Sequence, residues 1–179
     1  MKIYYFLALV TFCTLAKAPS SWAQTPNWKA SPAAEGDPIL KKKSLPLDAK
    51  YFSSVELKQF TEVLAQEMFS HFRILGIAAP QMGVGIRVFL LRSSFINPFN
   101  HSFEVYINPK VTQVGDAMDS EIEFCLSTRG FHRVQRYKTV QLEFSKTDGT
   151  REVIKLTGSR ARIAQHELDH LDGKLISDE

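Results

Sequence analysis

The stretch QHELDH at residues 165–170 lies in the last helical pattern of this 179-residue chain. Residues four apart on a helix share a face, so His166 and His170 are predicted to point in the same direction. Two imidazoles at this spacing can bind one metal ion, and a Zn–N bond is roughly 2.0–2.1 Å long. Glu167 is placed to accept a proton from a water bound to that ion. The stretch therefore predicts the metal-binding helix of a metallohydrolase; a surface helix carrying two histidines by chance is the alternative.

A second helix is predicted in the first half of the chain. It begins near Ser53, which has the spacing of a capping box with Glu56. Five apolar residues recur at helical spacing and are expected to form the buried stripe of this helix. They are Leu57, Phe60, Leu64, Met68 and Phe72.

Strand patterns separate the two helices. The runs that alternate or concentrate apolar residues are 86–91, 103–107, 111–114, 140–144 and 153–156. A turn at 146–149 joins the last two runs and predicts a hairpin. The final helix is expected from about Gly158 to Leu171, where Gly173 can end it. The order helix, strands, helix favours an α+β domain.

The first 23 residues have the layout of a secretory signal peptide. Lys2 supplies a positive start, residues 3–15 are almost entirely apolar, and small residues precede a cleavage site after Ala23, with Ala18 as a second possible site. We therefore expect an exported protein, either periplasmic or secreted. An uncleaved anchor and a plastid-type bipartite leader that directs the chain to an organelle are the alternatives.

Residues 24–37 are polar and contain several Pro, Ala and Gly, which predicts a flexible leader before a single domain at 38–179. Lys2 and Lys17 are the only charged residues of the predicted signal peptide. Its removal leaves 20 basic against 19 acidic residues and lowers the net charge from +3 to +1. This balance does not favour nucleic acid as a partner, and no membrane association is expected after cleavage. The sequence does not indicate an oligomeric state.

The cysteine content points to a metal ligand upstream of the helix. Removal of residues 1–23 eliminates Cys13 and leaves Cys125 as the single cysteine, which cannot form an internal disulfide. A catalytic zinc site needs three protein ligands and one open position. No third histidine follows within 171–175, so Cys125 is the best candidate for the third ligand. A buried core cysteine is the alternative.

A third segment, GIAAPQ at 76–81, contains small residues that allow backbone and substrate to approach closely. Gln81 offers a side-chain amide donor that can stabilise an oxyanion on a substrate carbonyl. Taken alone, this signal is weak, because Gln81 can equally be an ordinary surface residue.

In chain order, GIAAPQ at 76–81, EFCLS at 123–127 and QHELDH at 165–170 resemble the three motifs of the peptide deformylases. The likeness extends from about Pro38 to Asp178, and the ordered set of motifs is highly specific. It implies an α+β fold of the peptide deformylase type. In that fold, antiparallel or mixed β-sheets surround a central helix that carries the HExxH motif.

The resemblance implies a hydrolase that removes the formyl group from the N-terminal formyl-methionine of peptides. Cys125, His166 and His170 would bind one divalent metal ion, which in this family is commonly Fe(II); zinc or nickel is also compatible with the isolated protein. Glu167 would act as the general acid/base.

The resemblance also implies how an N-formylated peptide is held. Gln81 and the backbone N–H of Leu126 would hold the formyl oxygen as it gains negative charge. The peptide would lie as an added strand along a sheet edge. The residues expected to bind the substrate, including its methionine side chain, are Gly76, Leu75, Ile122 and Ile163.

The sequence departs from the family pattern at three places. The family usually has glycine at the positions of Ile74 and Phe124, and the segment 128–130 reads one residue short and lacks the usual proline. Both lost glycines lie where backbone would pass close to substrate, so we expect a narrower cleft. No departure removes a metal ligand, Glu167 or Gln81, and we expect metal binding to be retained.

Two other functions fit the same residues. A catalytically weak or inactive deformylase-like protein that binds formylated peptides is motivated by Ile74 and Phe124. A zincin-like endopeptidase would use the same helix with a third ligand other than Cys125. In the deformylase pattern, Glu123 is expected to pair with Arg136 and to support a metal ligand; a solvent-facing strand residue is the alternative for Glu123.

Overall fold

A computed structural model describes residues 32–94, 97 and 101–178. Two α-helices and seven β-strands make up its regular structure, together with four short 3₁₀ turns. The helices are α1 (Val55–Ser70) and α2 (Gly158–Leu171). The strands are β1 (Gly76–Ala78), β2 (Val88–Arg92), β3 (Phe103–Val114), β4 (Met118–Glu123), β5 (His132–Tyr137), β6 (Thr139–Ser145) and β7 (Arg151–Thr157).

A five-stranded antiparallel sheet in the order β1-β2-β3-β6-β7 lies between the two helices. Side chains of one face, such as Ile77 and Leu90, pack in one core cluster with α1. Side chains of the opposite face, such as Phe89 and Leu91, pack in a second cluster with α2. Alternate residues of a strand point to opposite faces, so β2 is buried along its whole length and is apolar at four consecutive positions.

The strands β4 and β5 form a separate two-stranded antiparallel sheet. The helix α2 contacts β5 as well as strands of the five-stranded sheet. The predicted α+β architecture is thus present, with antiparallel pairing in both sheets.

The start of α1 differs from the prediction by one residue. Ser54, not Ser53, is the N-cap, because its hydroxyl accepts a hydrogen bond from the Leu57 N–H at 3.1 Å. The predicted capping box between Ser53 and Glu56 is therefore wrong. The predicted stripe also ends too late: α1 ends at Ser70 and Phe72 is 75% exposed.

The strand prediction was correct where apolar residues dominate and incomplete elsewhere. The runs 103–107 and 111–114 belong to one strand, β3, which is interrupted only by register shifts near Lys110 and Val111. Three strands were missed. The strand β1 has only three residues, Gly76–Ala78, and β4 and β5 are largely polar because much of the two-stranded sheet faces solvent.

The predicted hairpin and the predicted end of the last helix are both confirmed. The strands β6 and β7 pair antiparallel across the turn at 146–149, and Gly149 has a positive φ of 86°. The helix α2 ends at Leu171, and Gly173 follows with φ 75°. A Cβ at Gly173 would lie 2.8 Å from the Lys41 carbonyl oxygen, so the position excludes a side chain.

The described chain begins within the predicted leader. Ala33 is buried, and its N–H donates a hydrogen bond to the Gln81 carbonyl at 2.6 Å. The final residues of the predicted leader are therefore part of the packed domain. The predicted signal peptide lies outside the described residues, as does the leader up to residue 31. Neither described helix is long and apolar enough to cross a membrane.

A buried arginine joins the C-terminal end of α1 to the sheet. Arg92 is 3% exposed and donates hydrogen bonds to the backbone carbonyls of Met68, His71 and Ile74 at 2.7–3.1 Å. Its guanidinium also lies 4.8 Å from the centre of the Phe69 ring. Carbonyls at a helix end have no hydrogen-bond donor within the helix, and the Arg92 guanidinium provides donors for them.

Replacing Arg92 by methionine is expected to lower the free energy of unfolding by about 2–4 kcal/mol, because buried carbonyls lose their donor. Urea denaturation measures this loss as a lower midpoint. The matched control is Arg151→Met, whose side chain is 81% exposed and makes only a 3.6 Å ion pair with Glu143. The control should shift the free energy by no more than about 0.5 kcal/mol. Equal midpoints for the two variants would contradict the structural role of Arg92.

Candidate metal centre and cleft

Three side chains that can bind a metal ion converge at α2. His166 and His170 lie one turn apart on this helix, and Cys125 approaches from the segment that follows β4. One potential ligand atom from each residue lies within 4.8 Å of the other two. The Cys125 Sγ is 3.2 Å from the His170 Nε2. Imidazole and thiol are the donors that zinc and other transition metals prefer, so this set fits such an ion.

The protonation of these side chains is set by burial. Burial raises the pKa of the Cys125 thiol to about 12, although a hydrogen bond from the Ser127 N–H acts in the opposite direction. A thiol with this pKa is neutral at pH 7 and becomes a thiolate only beside a cation. Burial lowers the pKa of His170 well below its ordinary value, and the neighbouring His166 adds to this effect. His170 is therefore the neutral imidazole that metal ligation requires.

A buried carboxylate orients the first histidine. The Glu123 side chain lies 2.9 Å from the His166 Nδ1, so that nitrogen can donate to it and leave Nε2 as the ligand atom. Arg136 donates to both Glu123 oxygens at 3.0 Å. Burial acts to raise the pKa of Glu123, but hydrogen bonds from His166 and Arg136 outweigh burial and lower that pKa to about 2. The expected pairing of Glu123 with Arg136 is confirmed.

Arg162 is a member of this network that sequence reasoning missed. Its guanidinium donates to the Glu123 carboxylate at 2.8 Å and to the Val134 carbonyl at 3.0 Å, and it also pairs with Asp119. The signal was present, since Arg162 precedes His166 by one helical turn and so shares its face. Asp169, which pairs with Arg136, was missed as well.

Glu167 lies beside the three potential ligands. It is 2% exposed, and its Oε2 has no hydrogen-bond partner among the described residues. Burial raises the pKa of Glu167 well above its ordinary value, and the negative charge of Glu123 adds to this rise. A buried carboxyl group with an open oxygen is suited to take up and release a proton.

Gln81 reaches the same place from the short turn after β1. Its side-chain oxygen accepts a hydrogen bond from the Ala78 N–H at 2.8 Å, which orients the amide. Its Nε2 lies 3.4 Å from the Ser127 hydroxyl and 3.6 Å from the Cys125 Sγ. The amide donor therefore points toward the potential ligands, and Gln81 is buried rather than an ordinary surface residue.

A cleft of about 340 Å³ opens onto this cluster. It lies between β1 and β4, each of which has a free edge within the described sheets. The residues expected at the substrate are all found in its lining: Leu75, Gly76, Gln81, Ile122, Leu126, Ile163 and Glu167. Ile122 is 62% exposed, so it lies at the rim of the cleft rather than in an enclosed pocket.

The two positions that depart from the family glycines behave differently. Ile74 also lines the cleft, but it is 6% exposed and packs in the α1 core cluster, so the core accommodates most of its side chain. Phe124 is 42% exposed and lines the cleft. The expected narrowing therefore concerns Phe124 more than Ile74.

Gly76 is required by the position of Glu167. A Cβ at residue 76 would lie 2.6 Å from the Glu167 Oε1 and 2.9 Å from the Ile163 Cγ2. Both atoms belong to α2 side chains packed against the start of β1. A side chain at this position would therefore force the Glu167 carboxyl group and the Ile163 side chain to shift.

Substitution of Gly76 by alanine is expected to displace the Glu167 carboxyl group and to cost about 1–3 kcal/mol of stability through overpacking. Urea denaturation measures the loss. Gly85→Ala is the matched control, since a Cβ there would meet its nearest neighbour, the Ile39 Cδ1, at an ordinary 3.5 Å. If Gly76→Ala were as stable as Gly85→Ala, the close contact with Glu167 would be refuted.

Known proteins that are similar to this chain in sequence and in fold include peptide deformylases. The chain is 34% identical over 146 residues to a peptide deformylase of Picosynechococcus, which covers 80% of this chain and 74% of the relative. It is 32% identical over 144 residues to that of Thermotoga maritima, covering 80% of this chain and 82% of the relative.

Solved structures agree with these relatives. The class I type b peptide deformylase of Acinetobacter baumannii, in a crystal structure with bound Met-Ala-Ser, superposes with a TM-score of 0.76 at 30% identity, covering 82% of this chain and 95% of that one. Arabidopsis thaliana peptide deformylase 1B, in complex with an inhibitor, gives 0.75 at 30% identity, covering 83% and 80%. The model of the polypeptide deformylase family matches residues 33–179, and the chain belongs to this family.

Proposed function

We propose that this protein hydrolyses the N-formyl group of peptides that begin with formyl-methionine and releases formate. One observation carries the proposal: three potential metal ligands lie within 4.8 Å of one another beside a buried carboxyl group. Membership of the polypeptide deformylase family supports the same reaction. In this reaction water adds to the formyl carbon, the C–N bond breaks, and the peptide amine takes up a proton.

In this proposal, α2 is the central helix that carries the HExxH motif. Cys125, His166 and His170 hold one divalent ion, for which the family favours Fe(II) and the donor set also accepts zinc or nickel. When bound, the ion would act as a Lewis acid and would lower the pKa of a water bound to it. Glu123 keeps His166 in the orientation that ligation needs.

Glu167 is the proposed general acid/base. It accepts a proton from the attacking water and gives a proton to the departing amine. Its buried position supports this role, because burial raises the pKa of its carboxyl group toward the range where both transfers are possible.

Gln81 and Leu126 are proposed to stabilise the formyl oxygen. The Gln81 Nε2 points toward the ligand cluster, and the Leu126 backbone lies in the same cleft. N–H donors held in place before the reaction stabilise negative charge as it develops on that oxygen. The hydrogen bond from Ala78 to Gln81 provides this positioning.

The peptide substrate is proposed to lie as an added strand in the cleft. Both β1 and β4 have a free edge there, and main-chain hydrogen bonds to either edge would hold an extended peptide. Gly76 allows a close approach, and Leu75, Ile122 and Ile163 supply apolar contact for the methionine side chain.

A second candidate is a protein that binds formylated peptides with little or no turnover. The observation that favours it is the Phe124 side chain, which lines the cleft next to Cys125. Tight peptide binding without formate release, measured on metal-loaded protein, would identify this function. The zincin-like endopeptidase is less favoured, since Cys125 lies within the ligand cluster.

The Glu167→Gln variant is expected to lose about 10²–10⁴-fold in kcat/KM for formate release from a formyl-methionyl peptide, because the proton transfers lose their carrier. Metal content, measured by mass spectrometry on the same sample, should stay unchanged. Glu152→Gln on β7 is the matched control and should retain full activity. Wild-type turnover by Glu167→Gln would exclude Glu167 as the acid/base.

The Cys125→Ser variant extends this test to the ligands. It is expected to lose most of its bound metal together with its activity, because a thiolate ligand is removed. A zincin-like site with another third ligand would keep its metal in this variant. Retained metal would therefore overturn the proposed ligand set even if formate release were observed.

We also propose that the protein is exported, on the basis of the signal-peptide pattern at residues 1–23. N-terminal sequencing of the protein isolated from its own cells is expected to begin at Gln24. A chain that retains Met1 and fractionates with cytosolic markers would contradict export. An organelle fraction with a different N-terminus would favour the bipartite leader.

A further inference from the structure

Large apolar side chains are exposed in the cleft and next to it. Phe124 lines the cleft and is 42% exposed, and its neighbour Phe131, which is not among the lining residues, is 63% exposed. Ile122, at the rim, is 62% exposed. Exposed apolar side chains that cluster beside a binding cleft commonly mark a contact surface for a ligand.

The two phenylalanines contact each other. Their ring centres are 5.7 Å apart and the rings are inclined by 44°, a separation typical of an attractive aromatic pair. Phe124 directly follows β4 and Phe131 directly precedes β5, so the pair closes the base of the loop between these strands. Because β4 and β5 pair directly, the aromatic pair is held against the two-stranded sheet.

The aromatic pair is continuous with the cleft. Phe124 and Ile122 are both part of the cleft lining, next to Cys125 and Leu126. A peptide that extends along the β4 edge from the proposed metal centre advances about 3.3 Å per residue. Because Phe124 directly precedes the proposed ligand Cys125, the peptide residues nearest the metal centre lie beside Phe124, which is in contact with Phe131.

We propose that Phe124 and Phe131 form an aromatic shelf that binds an apolar side chain at one of the two residues after the substrate's methionine. The inference rests on the proposed function, since the cleft must hold a peptide. It assigns a preference for apolar over polar residues at that place. The polar neighbour Glu123 points away from this surface into its pairing with Arg136 and Arg162.

The test compares three peptides that differ at the second and third residues: formyl-Met-Phe-Ser-Lys, formyl-Met-Ser-Phe-Lys and formyl-Met-Ser-Ser-Lys. In the wild-type protein, one of the phenylalanine peptides should exceed the serine peptide about tenfold in kcat/KM, as burial of one aromatic side chain predicts. In Phe124→Ala and in Phe131→Ala this ratio should fall to about twofold or less, mainly through KM. The two variants remove the two halves of the shelf.

Val153→Ala is the control, since Val153 is 61% exposed on β7, at the opposite edge of the five-stranded sheet from β1. It should leave the peptide ratio unchanged. A wild-type protein without preference, or a preference that survives in both shelf variants, overturns the proposal.

A binding measurement separates this proposal from the proposed function. Fluorescence anisotropy gives the Kd of labelled forms of the same peptides for the Glu167→Gln protein. A binding measurement does not require turnover. Preference in binding without formate release from the wild type would refute the hydrolase and support the shelf. Formate release by the wild type without a preference among the peptides would support the hydrolase and refute the shelf. If Phe131→Ala instead abolished a dimer in sedimentation while peptide preference stayed constant, the shelf would belong to a second copy of the chain and the proposal would fail.

Discussion

The Glu123 carboxylate accepts hydrogen bonds from Arg136 on β5 and from Arg162 on α2, and it lies 2.9 Å from the His166 Nδ1. It therefore ties the two-stranded sheet to the helix that carries both histidines. A buried charge of this kind is stable only while all its partners are present, because desolvation of an unpaired charge costs several kcal/mol. Cys125 follows Glu123 by two residues, so the same constraint places the third potential ligand.

One side of β4 has no partner strand among the described residues. The free edges of β4 and β1 face each other across the cleft, and α2 forms its floor. The side chains of this helix pack so close to β1 that a Cβ at Gly76 would displace Glu167 and Ile163. Burial next to this contact, rather than any special sequence around Glu167, raises the pKa of that carboxyl group. The ion-pair network, the glycine at position 76 and the raised pKa of Glu167 thus belong to one packing arrangement.

Residue patterns along the sequence predicted those helices and strands whose side chains are buried on one face or on both. Apolar runs predicted β2, β6 and β7, and helical spacing predicted both helices, because burial on one face imposes a period on the sequence. The pattern was absent in β4 and β5, whose sheet is largely exposed. The cap was placed one residue early, because Ser53 has the capping-box spacing to Glu56, whereas the backbone geometry makes Ser54 the N-cap.

The sequence by itself determined the candidate ligands and the proposed acid/base, since the spacing of His166, Glu167 and His170 on one helix is a local property of the chain. The sequence also contains the three motifs in the order that indicates the family. Only the tertiary structure decided that Arg162 belongs to the Glu123 network, that Gly76 contacts Glu167, and that Phe124 pairs with Phe131. The first two contacts join residues that are distant in the chain, and the third joins the two ends of a loop. All three distances depend on how strands and helix pack rather than on any periodicity along the sequence.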